Sequence, residues 1–166
     1  MDRAQLRELQ RPLKERYRAD PSAAVITLRA DGSLADSDVA CSVQTGQALV
    51  EAGLHPATGG TGTLACSGDM LLQALVACAG VTLRSVATNR EIEVTGTVRA
   101  EGDLDFTGTL GVDPDAPVGF TDIRLIFELE SAAPAADLDA LIETTKRYCV
   151  VLQTLVKSPA LSIQRR

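Results

Sequence analysis

Apolar residues recur at Leu6, Leu9 and Leu13 among many charges in the first stretch of the chain, about residues 2–18. Steps of three and four predict a peripheral helix with a thin apolar stripe, ended near Asp20-Pro21 because proline disfavours helical backbone in the residue before it. Three short β-prone runs follow at residues 25–28, 39–43 and 48–50, separated by the turn signals Asp31-Gly32 and Thr45-Gly46. Antiparallel hairpins are expected there. Residues 55–68 hold Gly59, Gly60, Gly62 and Gly68 without periodicity and read as a loop.

From about residue 69 to 89 the chain is apolar almost all the way round, with Cys78 in the middle, which predicts a helix buried on most of its surface. Ser67 is a natural N-cap, and the Asp69 carboxylate falls in the first turn, where it complements exposed amides. Next, Ile92, Val94, Val98 and Ala100 alternate with Glu93, Thr95, Thr97 and Arg99, and Ile123, Leu125, Phe127 and Leu129 alternate with Arg124, Glu128 and Glu130. Both are strands with one buried face. Leu104, Phe106 and Leu110 predict a weaker strand between them, and residues 113–117 a turn.

After Pro134, an apolar stripe through Leu138, Leu141, Ile142, Thr145, Tyr148, Cys149, Leu152, Leu155 and Val156 predicts a second long helix, stopped by Ser158-Pro159. Cys149 therefore faces inward. A last strand is expected near residues 161–163. Strands and helices do not alternate regularly, so the fold class is α+β, with a mainly antiparallel sheet of about six strands. The expected organisation is an N-terminal helical extension at 1–21 and one domain at 22–166. A helix apolar on nearly every side needs cover beyond one sheet, which predicts an intimate homodimer.

Composition narrows the function classes. The chain of 166 residues is 45% apolar, enough for a core, and carries a net charge of -6. Its aromatic residues are Tyr17, Phe106, Phe120, Phe127 and Tyr148. So few rings and so acidic a chain argue against nucleic acid and anionic membrane surfaces as partners. No uninterrupted apolar run approaches the roughly 20 residues of a membrane helix, and a cytoplasmic location is expected.

Four cysteines are too few for a disulfide scaffold, and no Cys-x-x-Cys with a histidine partner suggests zinc. Cys41 shares a strand face with Val39 and Val43 and reads as a packed thiol, while Cys66 borders the glycine-rich loop. His55, the only histidine, has no acid close in sequence and reads as a surface residue. The run Gly59-Gly60-Thr61-Gly62 lacks a following Lys-Ser/Thr, which speaks against a phosphate cradle.

Cys78 and Cys149 are the candidate chemistry. Each lies on the inward stripe of its helix, and helices packed side by side would allow the sulfurs to bridge. From the residues alone, two buried structural thiols and a redox pair both stay open.

The stretch Ser67-Gly68-Asp69-Met70-Leu71-Leu72-Gln73-Ala74-Leu75-Val76-Ala77-Cys78-Ala79-Gly80 resembles the first cysteine helix of the OsmC/Ohr family (osmotically inducible protein C / organic hydroperoxide resistance). Lys146-Arg147-Tyr148-Cys149-Val150-Val151 resembles the second. The similarity covers roughly residues 22–166, and the chain looks like a divergent OsmC-like branch. It implies an intertwined homodimer that reduces organic hydroperoxides, with Cys78 forming a sulfenic acid, Cys149 resolving it to a disulfide, and a dithiol reductant restoring both. No metal or organic cofactor is implied.

A thiol in the middle of an apolar helix has its pKa raised by desolvation, and Cys78 is too far from its own helix's N-terminus to borrow the dipole. A cation is therefore expected nearby. The family supplies an arginine held by a carboxylate, which the resemblance assigns here to Arg29, with Arg18 as second choice, and to Asp69. Arg29-Ala30-Asp31-Gly32-Ser33 resembles the family's arginine hairpin with one additional residue. Asp69 stands where the family usually has glutamate, and its other reading is a plain helix-start residue. Many family members carry proline after the second cysteine, where this chain has Val150. A non-catalytic, stress-associated member that binds a small apolar ligand is the alternative these departures leave open.

Overall fold

The computed structural model describes residues 2–19, 31–34, 40–45 and 48–165, with positions 9, 13, 16–18, 31–34, 40–45 and 48–49 described in backbone only. The expected strand at 25–28 and Arg29 lie outside the described residues. Helix α1 spans Arg3–Ala19 with Pro12 inside it. Asp2 and Gln5 cap its start reciprocally: the Gln5 amide donates to Asp2 Oδ1 at 2.8 Å and the Asp2 amide to Gln5 Oε1 at 3.0 Å.

Strands β1 (Asp31–Leu34), β2 (Ala40–Thr45), β3 (Ala48–Gly53) and β4 (Ala65–Cys66) form one sheet in that order. The hairpins are antiparallel, as expected, and Thr45 opposite Ala48 closes the β2–β3 pair. The turn signal Asp31-Gly32 is instead the start of β1, paired with Gln44 and Val43. Within the glycine-rich stretch the chain forms a short 3₁₀ turn, Pro56–Thr58, and then β4, which runs parallel to β3.

Helix α2 spans Ser67–Arg90, so Ser67 is its first helical residue rather than a cap outside it. By length and composition α2 does reach what a membrane crossing requires, with a hydropathy of 1.6 over its most apolar stretch. Here it carries a buried stripe, Leu75, Ala79, Leu83 and Ala87, at steps of four. Strands β5 (Thr95–Leu104) and β6 (Phe120–Glu130) form a separate two-stranded sheet, so among the described residues two smaller sheets stand where a single sheet of about six strands is expected. Thr97 and Arg99 bond Glu128, and Arg124 bonds Glu101 and Asp103, so numbers rise on one strand as they fall on the other and the pair is antiparallel.

Gly96 has φ +123, and a Cβ there would sit 2.0 Å from the Glu128 carbonyl oxygen, so only glycine fits this crossing of strands. The weak strand predicted between β5 and β6 is instead a single helical turn, α3 (Phe106–Thr109). Asp105 caps it by accepting the Thr107 amide at 2.9 Å, a local bond that outcompetes extended backbone.

The predicted second long helix is two helices, α4 (Ala135–Tyr148) and α5 (Val150–Val156), broken at Cys149, whose φ of -72 and ψ of 106 are extended. The predicted last strand is absent. Leu161 and Ile163 are 86% and 99% exposed, and among the described residues no strand pairs with them.

The residues fall into two compact units, Met1–Arg11 with Ala74–Arg99 and Leu125–Arg166, and Pro12–Gln73 with Ala100–Arg124. In the first, Leu83 and Ala87 of α2 pack with Leu141 of α4 and Val94, flanked by Val86, Phe127, Leu129 and Leu138. Both helices present small or apolar residues at steps of four, the spacing at which ridges interdigitate. Leu141, Thr145 and Cys149 continue the α4 stripe with no exposed surface. At the far end of α2, Arg90 Nη2 donates to Thr144 Oγ1 at 2.7 Å and Glu91 pairs with Arg3.

Candidate active site

The α2 and α4 stripes bring Cys78 and Cys149 together in the first unit, both as free thiols. Cys78 is half-buried; Cys149 has no exposed surface. The two thiols are neighbours, and their acidities move in opposite directions.

Burial is the largest single influence on Cys78 and presses its pKa upward, as the sequence predicts. It is outweighed. The nearby backbone N–H of Val151, Cys149 thiol, backbone N–H of Val150 and Thr82 hydroxyl favour the charged sulfur, and together they hold Cys78 below the ordinary thiol range. The expected upward press of burial is thus present and offset, while Arg29, the cation expected to offset it, lies outside the described residues. Cys149 goes the other way: burial raises it most, the Leu152 amide opposes this, and the neighbouring Cys78 adds to the rise. Cys78 is thus the more acidic thiol of the pair and Cys149 the less acidic one.

The break in the α4–α5 backbone makes this possible. The first amides of any helix lack partners within it. In a continuous helix, Val150 and Val151 would donate to carbonyls one turn back. With Cys149 extended, those N–H groups start a new helix, free to favour charge on the nearby Cys78 sulfur. Around the break, the Cys149 amide still reaches the Thr145 carbonyl and the Gln153 amide the Cys149 carbonyl, each at 2.9 Å. Gln153 Nε2 donates across it to the Lys146 carbonyl at 2.8 Å, satisfying an orphan acceptor at the end of α4. An extended residue followed by the first helical position is also the backbone that a proline at position 150 requires.

Asp69 lies in the first turn of α2 and, within the second unit, lines a cavity of about 330 Å³ with His55, Cys66, Leu104, Phe106 and Phe120. Arg29 is outside the described residues, and Arg18 belongs to α1 with only its backbone described. Cys41 pairs with Leu34 and Ala52 in the β1–β4 sheet, and its side chain is not described. His55 is not a loose surface residue. Its Nδ1 accepts the Ala57 amide at 3.0 Å, and its ring stacks on Phe106 with centroids 5.0 Å apart. A larger open cavity of about 660 Å³, with Glu91, Glu93, Glu130 and Asp137 among its lining residues, lies in the first unit, and neither cavity is lined by Cys78 or Cys149. Among the described residues no group of three or more His, Cys, Asp or Glu is arranged to hold a metal ion.

Sequence reasoning missed three groups at this site: Thr82 and the amides of Val150 and Val151. Thr82 had a readable signal, its place one turn after Cys78. The amides had only the two successive β-branched residues after Cys149, which weaken helix locally.

No curated protein sequence gives a significant match to the chain. Solved structures do share its fold. An OsmC like protein from Mycoplasma pneumoniae aligns with a TM-score of 0.66 at 17% identity, over 80% of this chain and 89% of that one. An organic hydroperoxide resistance protein OsmC from Legionella pneumophila aligns with a TM-score of 0.58 at 15% identity, over 80% and 91%. The organic hydroperoxide resistance protein OhrB of Bacillus subtilis gives 0.53 at 16%, over 80% and 93%. A sequence model described as OsmC-like protein matches residues 60–164, which include both cysteine helices. With that match over more than half its length, the chain belongs to the OsmC/Ohr family.

Proposed function

We propose that the protein is a cysteine-based peroxidase that reduces organic hydroperoxides to alcohols. The observation that carries this reading is the unequal thiol pair, a half-buried Cys78 made more acidic beside a fully buried Cys149 made less so. The Cys78 sulfur attacks the terminal oxygen of the hydroperoxide. The O–O bond breaks, sulfur is oxidised to a sulfenic acid, and the departing alkoxide takes a proton to become the alcohol. The Cys149 sulfur then attacks Cys78, expels the sulfenic oxygen as water and closes a disulfide. Overall, one hydroperoxide and two thiols give one alcohol, one water and one disulfide, and a dithiol reductant restores both thiols by exchange.

The surroundings of Cys78 support an organic substrate. Val81 on α2 and Val150 on α5 are 73% and 70% exposed, and the exposed Ala77 adjoins Cys78 in the chain. Apolar surface beside a reactive sulfur favours an alkyl or aryl hydroperoxide over hydrogen peroxide, and a second copy of the chain would cover the rest of it. Dependence on a dithiol reductant fits a cytoplasmic location.

Intact mass spectrometry of the reduced protein treated with cumene hydroperoxide tests the proposal. The wild type should lose two hydrogens on forming the Cys78–Cys149 bridge. Cys149→Ser should stall as a sulfenic acid trapped by dimedone on Cys78, and Cys78→Ser should no longer consume the peroxide with a dithiol. A wild-type mass unchanged by peroxide would overturn the proposal and favour a non-catalytic member that binds a small apolar ligand.

A further inference from the structure

Gln153 touches both sides of the break at Cys149. In a continuous helix the Lys146 carbonyl would accept the Val150 N–H, four residues further on. Across the break it accepts the half-buried Gln153 side chain, Nε2 donating at 2.8 Å, while the Gln153 backbone N–H donates to the Cys149 carbonyl at 2.9 Å. The Cys149 N–H is held in turn by the Thr145 carbonyl at 2.9 Å. Cys149 is thus fastened at both its backbone groups, in an extended conformation that neither helix would give it, with its thiol fully buried. The threonine hydroxyls of α2, α4 and α5 differ from this: each bonds a carbonyl one turn back within its own helix, broken or not. The competing state of the chain is the straight helix, in which a backbone amide satisfies the Lys146 carbonyl; a side-chain donor there removes that advantage.

We propose that Gln153 is a positioning residue for Cys149: its side-chain amide takes the place of the Val150 N–H on the Lys146 carbonyl, keeps the helix broken at Cys149 and so holds the buried thiol beside Cys78. This deepens the peroxidase reading and rests on it for the role of the pair. The gain is preorganisation. A resolving thiol closes a disulfide readily only where its sulfur already faces the partner, because side chains that point apart cannot be bridged without backbone movement. With the side-chain donor gone, the straight helix competes and the fraction of molecules with both thiols aligned falls. The measured equilibrium for bridging falls in the same proportion. Gln153 takes no part in the exchange itself: no bond is made or broken at it and no proton leaves it.

The test is the Cys78–Cys149 disulfide equilibrium of the full-length protein in buffers of reduced and oxidised glutathione, read by peptide mass spectrometry after acid quenching, with no peroxide present. Two protein thiols and one oxidised glutathione give one protein disulfide and two reduced glutathiones, through a mixed disulfide. Gln153→Met keeps the length of the side chain without its donor and should lower the equilibrium constant about tenfold, about 30 mV for this two-electron couple. Gln153→Ala should do the same should the methionine pack badly, and Gln153→Lys, which restores a donor of similar reach, should stay within about twofold of wild type. An equilibrium unchanged in both Gln153→Met and Gln153→Ala, even with lowered melting temperatures, would overturn the proposal and leave Gln153 a plain end-cap of α4. A wild type that forms no Cys78–Cys149 disulfide in these buffers would overturn it as well. A wild type that forms the bridge with glutathione but not under cumene hydroperoxide would sink the peroxidase reading alone, so the two failures are distinct.

Discussion

The fully buried Cys149 thiol lies beside the half-buried Cys78, and these two cysteines, 71 positions apart in sequence, shift each other's acidity in opposite directions. The pairing makes the two thiols chemically unequal. One sulfur is partly accessible and the more acidic; the other is shielded and the less acidic.

Removing the Cys149 thiol should be felt at Cys78. Its pKa is held down in the folded protein, so its alkylation rate falls as pH drops through the lowered value. Cys149→Ala deletes one hydrogen-bond donor to the thiolate and should shift the Cys78 midpoint upward by about half a pH unit or more. The same depressed pKa contributes stability that is present above the thiol's unfolded pKa and fades as pH falls through the folded one. Site-resolved alkylation with pH checks the shift, and a midpoint that stays still would deny the Cys149 donor.

Val150→Pro offers a cleaner subtraction. Val150 is largely exposed and opens α5, a position where proline is favoured, and Cys149 before it is already extended as proline demands. The variant should fold with a melting temperature close to wild type. It lacks the position-150 N–H, one of the donors to Cys78, so the Cys78 midpoint should rise by less than about one pH unit while the Val151 amide remains. The same alkylation series measures it, with a melting curve alongside; a large loss of stability would contradict the geometry of the break.

Leu141 has no exposed surface and joins α4 to Leu83, Ala87 and Val94. Leu141→Ala should cost about 3 kcal/mol through lost burial and an unfilled cavity. Urea unfolding of the reduced protein would read it, and a cost near zero would show that the helix contact is not tightly packed.

How far the site was legible follows from where each signal resides. The placement of Cys78 could be read because α2 is long and its apolar period uninterrupted, and period is a local property. The break at Cys149 could not. The apolar steps run on through Leu152, Leu155 and Val156, which a straight helix would satisfy equally well. What ends α4 is tertiary: the thiol is wholly buried, and amides released by an extended Cys149 meet a sulfur that can carry charge. The upward press of burial on Cys78 was legible too, and the groups that offset it were not, since three of the four come from the other end of the chain. Phe106 misled in the opposite direction, because Asp105 supplies a cap that period alone does not weigh. The short alternation at Leu161 and Ile163 needs an edge to pair with, which no stretch of sequence can supply by itself.

The break at Cys149 also makes the backbone a reporter of oxidation. In the reduced protein the Val150 and Val151 amides lie beside the sulfur whose acidity they raise; a disulfide there would take away the charge they favour. Hydrogen–deuterium exchange at these two amides should therefore be slower in the dithiol than in a bridged form, while the Gln153 amide, held by the Cys149 carbonyl, serves as the local reference.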